Sequence, residues 1–161
     1  MSKKRVGEVF GDRLRVRVCG ICLMDGGLLL TEHKGLGPQG RLWIPPGGGM
    51  QYGESAEECL VRELKEETGL EIAAGKLLFV HEYINAPLHA LELFYEAKIT
   101  GGSLTKGIDP ELAENEQIIQ QSKFMGQEEI EGLNKELRHE ILKRYTDPKD
   151  ITGLRGYFRF R

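Results

Sequence analysis

Gly48-Gly49-Met50-Gln51-Tyr52-Gly53-Glu54-Ser55-Ala56-Glu57-Glu58-Cys59-Leu60-Val61-Arg62-Glu63-Leu64-Lys65-Glu66-Glu67-Thr68-Gly69-Leu70 is the stretch that decides how this 161-residue chain is read. Ser55-x-x-Glu58 is a capping box and predicts a helix opening at Ser55. Gly69 is a natural stop, so the helix runs through Thr68. At about 100° per residue, with Glu63 as origin, Glu66 falls near ~300° and Glu67 near ~40°. Three carboxylates therefore share one arc of about 100°. Leu60, Val61 and Leu64 occupy the adjoining arc and face a core. Like charges at i, i+3 and i, i+4 repel by ~0.2–0.5 kcal/mol each on an exposed helix, so this cluster needs a cation among its members. A hard divalent ion with oxygen ligands answers that need, and Mg²⁺ suits one or two carboxylates plus substrate phosphate. Arg62, about one turn before Glu66, can hold a carboxylate in position without competing as a ligand.

Glycine leads into this helix. Of 21 glycines, seven (Gly35, Gly37, Gly40, Gly47, Gly48, Gly49 and Gly53) lie between positions 35 and 53. Glycine lets backbone approach a polyanion closely, and exposed N–H groups at a helix start favour anions. A metal-binding helix behind a glycine-rich approach is the equipment for hydrolysing a phosphate ester or pyrophosphate.

The segment resembles the Nudix box, G-x5-E-x7-R-E-U-x-E-E-x-G-U, at every fixed position from Gly48 through Glu54, Arg62, Glu63, Leu64, Glu66, Glu67 and Gly69 to Leu70. Trp43-Ile44-Pro45-Pro46-Gly47 looks like the family's W-x-x-P-G lead-in. The resemblance implies an α/β fold, a Nudix-like α/β/α sandwich with a mixed β-sheet between helices. It implies a Mg²⁺-dependent hydrolase, with Mn²⁺ as a substitute. Such an enzyme cleaves the diphosphate linkage of a nucleoside diphosphate joined to another moiety. Carried over position by position, Glu63, Glu66 and Glu67 match metal-binding glutamates, and Gly47 matches a residue whose carbonyl faces a metal. Arg62 matches the arginine that orients glutamates, and Glu54 an acidic position of mostly structural use. The base that takes the proton from water is Glu63 or Glu66, or, as in some relatives, lies on a downstream loop. Here that loop offers Glu111, Glu114 and Glu116, with Glu116 preferred, although the run reads equally as a solvated acidic loop. Pro87 lies near where ADP-ribose-cleaving relatives carry proline, but a turn alone accounts for it. No signature of coenzyme A-cleaving relatives is apparent. The competing readings are a non-catalytic nucleotide-ligand sensor, whose box glutamates would be eroded, and a phosphatase of broad specificity.

Working outward, residues 13–23 alternate as a strand, Asp25-Gly26-Gly27 turns the chain, and Leu28-Leu29-Leu30 begins the return. Residues 76–84 and 88–99 read as strands, 103–116 as an acidic loop, and 118–125 as a further strand. Ile130, Leu133, Leu137 and Ile141 predict one helix over 128–145, ended by Asp147-Pro148. The tail 156–161 reads as an edge strand, a partner contact or a loosely docked terminus. One domain spans 1–161, with a core at about 13–145 and a tail at 146–161. His33, Lys34 and Arg41 flank the glycine loop and read as surface before site. His89 reads as a core or pocket-edge histidine, Trp43 as core, and Tyr83 as a pocket candidate.

With 40% apolar and 29% charged residues, the composition is globular. A net charge of −3 excludes global electrostatics as a means of holding nucleic acid, so the expected partner is a small nucleoside diphosphate derivative and not DNA. A homodimer is left open. The longest apolar run near the start, Val18 to Met24, is far short of the ~18 residues a membrane span needs. Lys3-Lys4-Arg5 is followed by Glu8 and Asp12 rather than an apolar stretch, so no export signal is read and a cytoplasmic protein is expected. Cys19 and Cys22, three apart on a strand, point to opposite faces. They read, with Cys59, as buried thiols and not as a metal or redox pair.

Overall fold

The computed structural model describes residues 7–8, 10–108 and 117–160. Alternating and buried apolar runs build nine strands among these residues. They are β1 (Arg13–Ile21), β2 (Leu23–Met24), β3 (Gly27–Lys34), β4 (Arg41–Ile44), β5 (Gly47–Gly49), β6 (Leu70–Asn85), β7 (Leu88–Gly102), β8 (Ile119–Met125) and β9 (Gly156–Phe158). Helix α1 (Ala56–Thr68) stands between β5 and β6. After β8 come α2 (Gln127–Gly132), a 3₁₀ turn (Lys135–Leu137), α3 (Glu140–Arg144) and α4 (Pro148–Gly153).

The expected mixed sheet has the order β5-β1-β7-β6-β9. β1 runs parallel to β7, and β9 parallel to β6, while β5 pairs antiparallel with β1 and β6 antiparallel with β7. The remaining strands form a second sheet centred on β3, which pairs with β2, β4 and β8. Two apolar clusters cover the two faces. One joins Val18, Cys22 and Leu29 to Cys59, Leu60 and Leu64 of α1. The other joins Cys19, Leu28, Trp43, Phe79 and Phe94 to Ile130, Ile141 and Ile151 of the C-terminal helices. Cys19 and Cys22 therefore do diverge, one into each cluster, and all three cysteines are free and buried. Trp43 is core, as its sequence suggested.

Helix α1 has the predicted ends. Ser55 Oγ accepts from Glu58 N (3.2 Å), and Glu58 answers by accepting from Ser55 N (2.7 Å). Gly69 caps the other end at φ 75°, with its N–H bonded to Lys65 O. The strands after it run longer than the sequence suggested, because β6 and β7 pair along nearly their whole lengths. The single helix expected over 128–145 is instead broken into α2, the 3₁₀ turn and α3. Asn134 and His139 turn their side chains onto the backbone N–H groups of Glu136 and Ile141, which starts new turns inside the apolar stripe. Asp147-Pro148 likewise opens α4 rather than simply ending a helix. The tail is an edge strand. β9 pairs with Phe79 to His81, and Phe158 and Phe160 pack on the core. No helix among the described residues is long and apolar enough to cross a membrane.

Gly69 is where the α1 stop can be tested. Its left-handed backbone excludes a β-carbon at low cost, and one placed there would sit 2.7 Å from Ser103 O. Gly69→Ala should lower stability by about 1–3 kcal/mol, read as a lower urea midpoint with an unchanged m-value.

Candidate active site

A cavity of about 530 Å³ opens beside β5, a volume in the range of small-molecule sites. Its walls include Gly47, Gly48 and Gly49 of β5, and Arg62, Glu63, Glu66 and Glu67 of α1. The arc of carboxylates read from the helical wheel therefore converges on one wall, facing the glycine strand.

Arg62 organises that wall. Its Nε and Nη2 reach the two oxygens of Glu54 (3.1 and 2.7 Å), and its Nη1 reaches Glu63 Oε1 (2.7 Å) and Glu66 Oε2 (3.2 Å). Nη2 also meets Gly49 O (3.3 Å). The bond from Arg62 is the main reason Glu54 titrates low, at about 2, and Glu54 in turn is the leading reason the Arg62 pKa is raised. Glu54 thus serves as the anchor of Arg62. Glu67 is held from two sides. Its Oε2 accepts from Gly47 N (2.9 Å), and its Oε1 lies 3.2 Å from His33 Nε2. That contact is too oblique for a hydrogen bond, so neither ring nitrogen of His33 has a hydrogen-bond partner among the described residues. His33 is buried in the cavity wall rather than on the surface as the sequence suggested. A bulge between Glu32 and His33 shifts the register of β3 against β8 there.

Glu63 carries the electrostatic signature. Burial pushes its carboxyl up, Arg62 draws it down, and the neighbouring Glu67 and Glu66 charges raise it again, leaving it at about 7. Its carboxylate lies against β5 so closely that a methyl group on Gly48 would overlap it. The Gly47 carbonyl accepts from Arg17 Nη2 (3.1 Å), which leaves it a second lone pair. Glu63, Glu66, Glu67 and the Gly47 carbonyl offer hard oxygens with excess negative charge on one wall, the donor type that suits Mg²⁺ or Mn²⁺. Among the described residues, however, the ligating side-chain atoms that already lie within 4.8 Å of one another are those of His81, Glu92 and His139.

Three further residues escaped the sequence. His81, Glu92 and His139 are buried together, on β6, β7 and the N-cap of α3. Glu92 Oε2 lies 2.9 Å from both His81 Nδ1 and His139 Nε2. A carboxylate only accepts, so both ring nitrogens facing it carry protons. Ile141 N–H donates to the far nitrogen of His139 (3.3 Å), which fixes the same tautomer. The trio is therefore a hydrogen-bonded clamp. Burial alone would raise the Glu92 carboxyl, but His139, His81 and Arg17 reverse this and hold it well below the usual carboxylate range. The only sequence signal was the placement of a glutamate on the face of β7 that also carries Phe94.

His89 and Tyr83 line the outer part of the cavity. His89 Nε2 bonds Glu82 Oε1 (2.9 Å), and Tyr157 of β9 donates to the other Glu82 oxygen. Pro87 follows a cis peptide in the turn between β6 and β7 and also lines the cavity. Arg41 pairs with buried Glu32 outside this group, and Lys34 is exposed at the end of β3. Glu111, Glu114 and Glu116 lie outside the described residues.

Known proteins share this architecture. The chain is 36% identical over 101 residues to an ADP-ribose pyrophosphatase of Methanocaldococcus jannaschii, covering 62% of this chain and 59% of that one. It is 37% identical over 65 residues to a CTP pyrophosphohydrolase of Escherichia coli, covering 40% and 48%. The chain thus spans about half the length of these curated relatives. A NUDIX hydrolase from Nitrosomonas europaea superposes with a TM-score of 0.71 at 18% identity, over 89% of this chain and 93% of that one. An ADP-ribose pyrophosphatase from Streptococcus suis does so with a TM-score of 0.60 at 17% identity, over 89% and 98%. At those identities the likeness to the solved structures is one of fold. The family model of the NUDIX domain matches residues 12–147, and with the carboxylate wall and the shared fold this places the chain in the NUDIX family.

Proposed function

We propose that the chain is a divalent-cation-dependent hydrolase that cleaves the diphosphate linkage of a nucleoside diphosphate joined to another moiety. The observation that carries this reading is the gathering of Glu63, Glu66 and Glu67 on one cavity wall, with Glu63 driven up to about 7 by burial and by the neighbouring Glu67 and Glu66 charges. The names of the Methanocaldococcus and Escherichia relatives make ADP-ribose and CTP the first substrates to try.

In this reading Glu63, Glu66, Glu67 and the Gly47 carbonyl hold Mg²⁺ or Mn²⁺. When bound, the ion neutralises phosphate charge and lowers the pKa of water. Arg62 keeps two of the glutamates aimed, and Glu54 keeps Arg62 aimed. The Gly47 N–H fixes the orientation of Glu67, with His33 packed beside its other oxygen. Water attacks one phosphorus in line with the bridging oxygen, the bridging P–O bond breaks, and a carboxylate accepts the proton of water. Glu63 and Glu66 on α1 and Glu116 on the downstream loop are the candidates for that last task.

Incubation of the pure protein with Mg²⁺ and a panel of diphosphates should yield two phosphate monoester products from ADP-ribose. Glu66→Gln and Glu67→Gln should each lower kcat/KM by about a hundredfold or more. Normal rates in both would remove the metal assignment, and ligand binding without turnover would leave a sensor. Glu116→Gln in the same panel assigns the base. A loss of about a hundredfold with metal binding intact gives it to the loop, and an unchanged rate gives it to the helix.

The Glu63 shift sets a pH dependence. Its carboxyl titrates at 4.5 when unperturbed and at about 7 in the metal-free fold, so the folded state holds the proton more tightly. Metal-free protein should therefore lose stability as pH rises from about 4.5 through about 7. A divalent cation must displace that proton, so its apparent Kd should weaken roughly tenfold per unit below about pH 7 and level off above it. Calorimetric Mn²⁺ titrations across this range check the slope, which Glu63→Gln should flatten.

A further inference from the structure

Arg17 stands in a polar row that crosses the five-stranded sheet. The strand register pairs Gly49 of β5 with Arg17 of β1, Arg17 with Glu92 of β7, Glu92 with His81 of β6, and His81 with Phe158 of β9. Residues paired across strands share a face, and this row reaches the cavity at Arg17 and Glu92. The row begins at Gly49 of the glycine strand β5 and ends on β9.

Four other cations of the cavity wall have partners of their own, Arg15 among them, which lies over the Phe10 ring at 4.2 Å. Arg62 is shared among Glu54, Glu63 and Glu66. The Arg138 guanidinium is turned onto the carbonyls of Glu131 and Leu133. Lys143 pairs with Glu140 at 2.6 Å. Arg17 differs. Its guanidinium donates to Gly47 O through Nη2, while its buried Nε has no hydrogen-bond partner. A buried guanidinium donor without an acceptor, next to carboxylates that gather cations, is complementary to an anionic oxygen brought in by a ligand. A diphosphate supplies such oxygens. A cation held by the glutamates would meet one phosphate, and the oxygens of the other would still need donors.

We propose that Arg17 is a further substrate-binding residue, taking a non-bridging oxygen of the diphosphate, and that buried Glu92, clamped by His81 and His139, is the positioning residue that holds Arg17 at the cavity wall. The proposal rests on the hydrolase reading above and adds the group that receives the second phosphate. Glu92 accepts from both histidines and faces Arg17 across the strand pair, where its charge favours the guanidinium. An apolar residue at 92 would cost less desolvation but would leave the Arg17 charge without its cross-strand partner.

The test separates metal binding from phosphate binding. The probe is the methylene-bridged analogue of ADP, which cannot be cleaved, titrated calorimetrically into Mg²⁺-loaded wild type, Arg17→Met, Arg17→Lys and Glu92→Gln. Mn²⁺ binding without the analogue is measured on the same proteins by electron paramagnetic resonance. Arg17→Met should bind Mn²⁺ like wild type and the analogue roughly tenfold or more weakly. Arg17→Lys should recover part of that loss, and Glu92→Gln should weaken the analogue while sparing Mn²⁺. If Arg17→Met does not fold, the comparison of Arg17→Lys with wild type decides, since the lysine keeps the charge but loses the fork. Equal analogue binding in the folded variants overturns the role of Arg17. A parallel fall in Mn²⁺ affinity also overturns it, because Arg17 would then serve the Gly47 carbonyl alone. Wild type that binds Mn²⁺ but no analogue overturns this proposal and the hydrolase reading together.

Discussion

Mutual repulsion among Glu63, Glu66 and Glu67 is the constraint around which the rest of the site is arranged. Three acids on one helical arc at a buried edge are unstable unless each is tied down, and each is. Arg62 spans Glu63 and Glu66, Glu54 neutralises Arg62, and the Gly47 N–H and His33 attend Glu67. Burial, with the neighbouring Glu67 and Glu66 charges, still leaves the Glu63 carboxyl raised. The fold holds its carboxylates in place without cancelling their charge, which is the condition for binding a cation tightly and reversibly.

That arrangement depends on close packing of α1 against the glycine strand. Leu60 and Leu64 bury the adjoining side of the helix against Val18, Cys22 and Leu29. Buried apolar side chains contribute ~1.5–3 kcal/mol each, which offsets the cost of crowding charge on the same helix. The absence of a side chain at Gly48 lets the Glu63 carboxylate lie against β5. The lip of the cavity is then set by the turn between β6 and β7 and by the helices after β8, elements far from the box in sequence.

How much was legible follows from the range of the interactions. The α1 boundaries were readable because capping acts over three residues and Gly69 has an intrinsic backbone preference. The acidic arc was readable because helical periodicity is local. The burial of His33 was not, because a bulge against β8, about ninety residues away, decides it. The clamp of His81, Glu92 and His139 was invisible for the same reason, since it exists only through strand register and the break before α3. That break defeated the apolar stripe at Ile130, Leu133, Leu137 and Ile141. The spacing suits one helix, but Asn134 and His139 satisfy backbone N–H groups locally and restart the chain. The tail resolved to one of its three readings because Phe158 and Phe160 find aromatic partners in Phe79 and His81.

The central claim is that α1 and the Gly47 carbonyl form one divalent-cation site. Anomalous scattering from Mn²⁺ in crystals of the protein tests it most directly. The account predicts a peak in contact with carboxylate oxygens of Glu63, Glu66 or Glu67, lost in Glu67→Gln crystals. A peak only at His81, Glu92 and His139, or none at the α1 wall under saturating Mn²⁺, would contradict it.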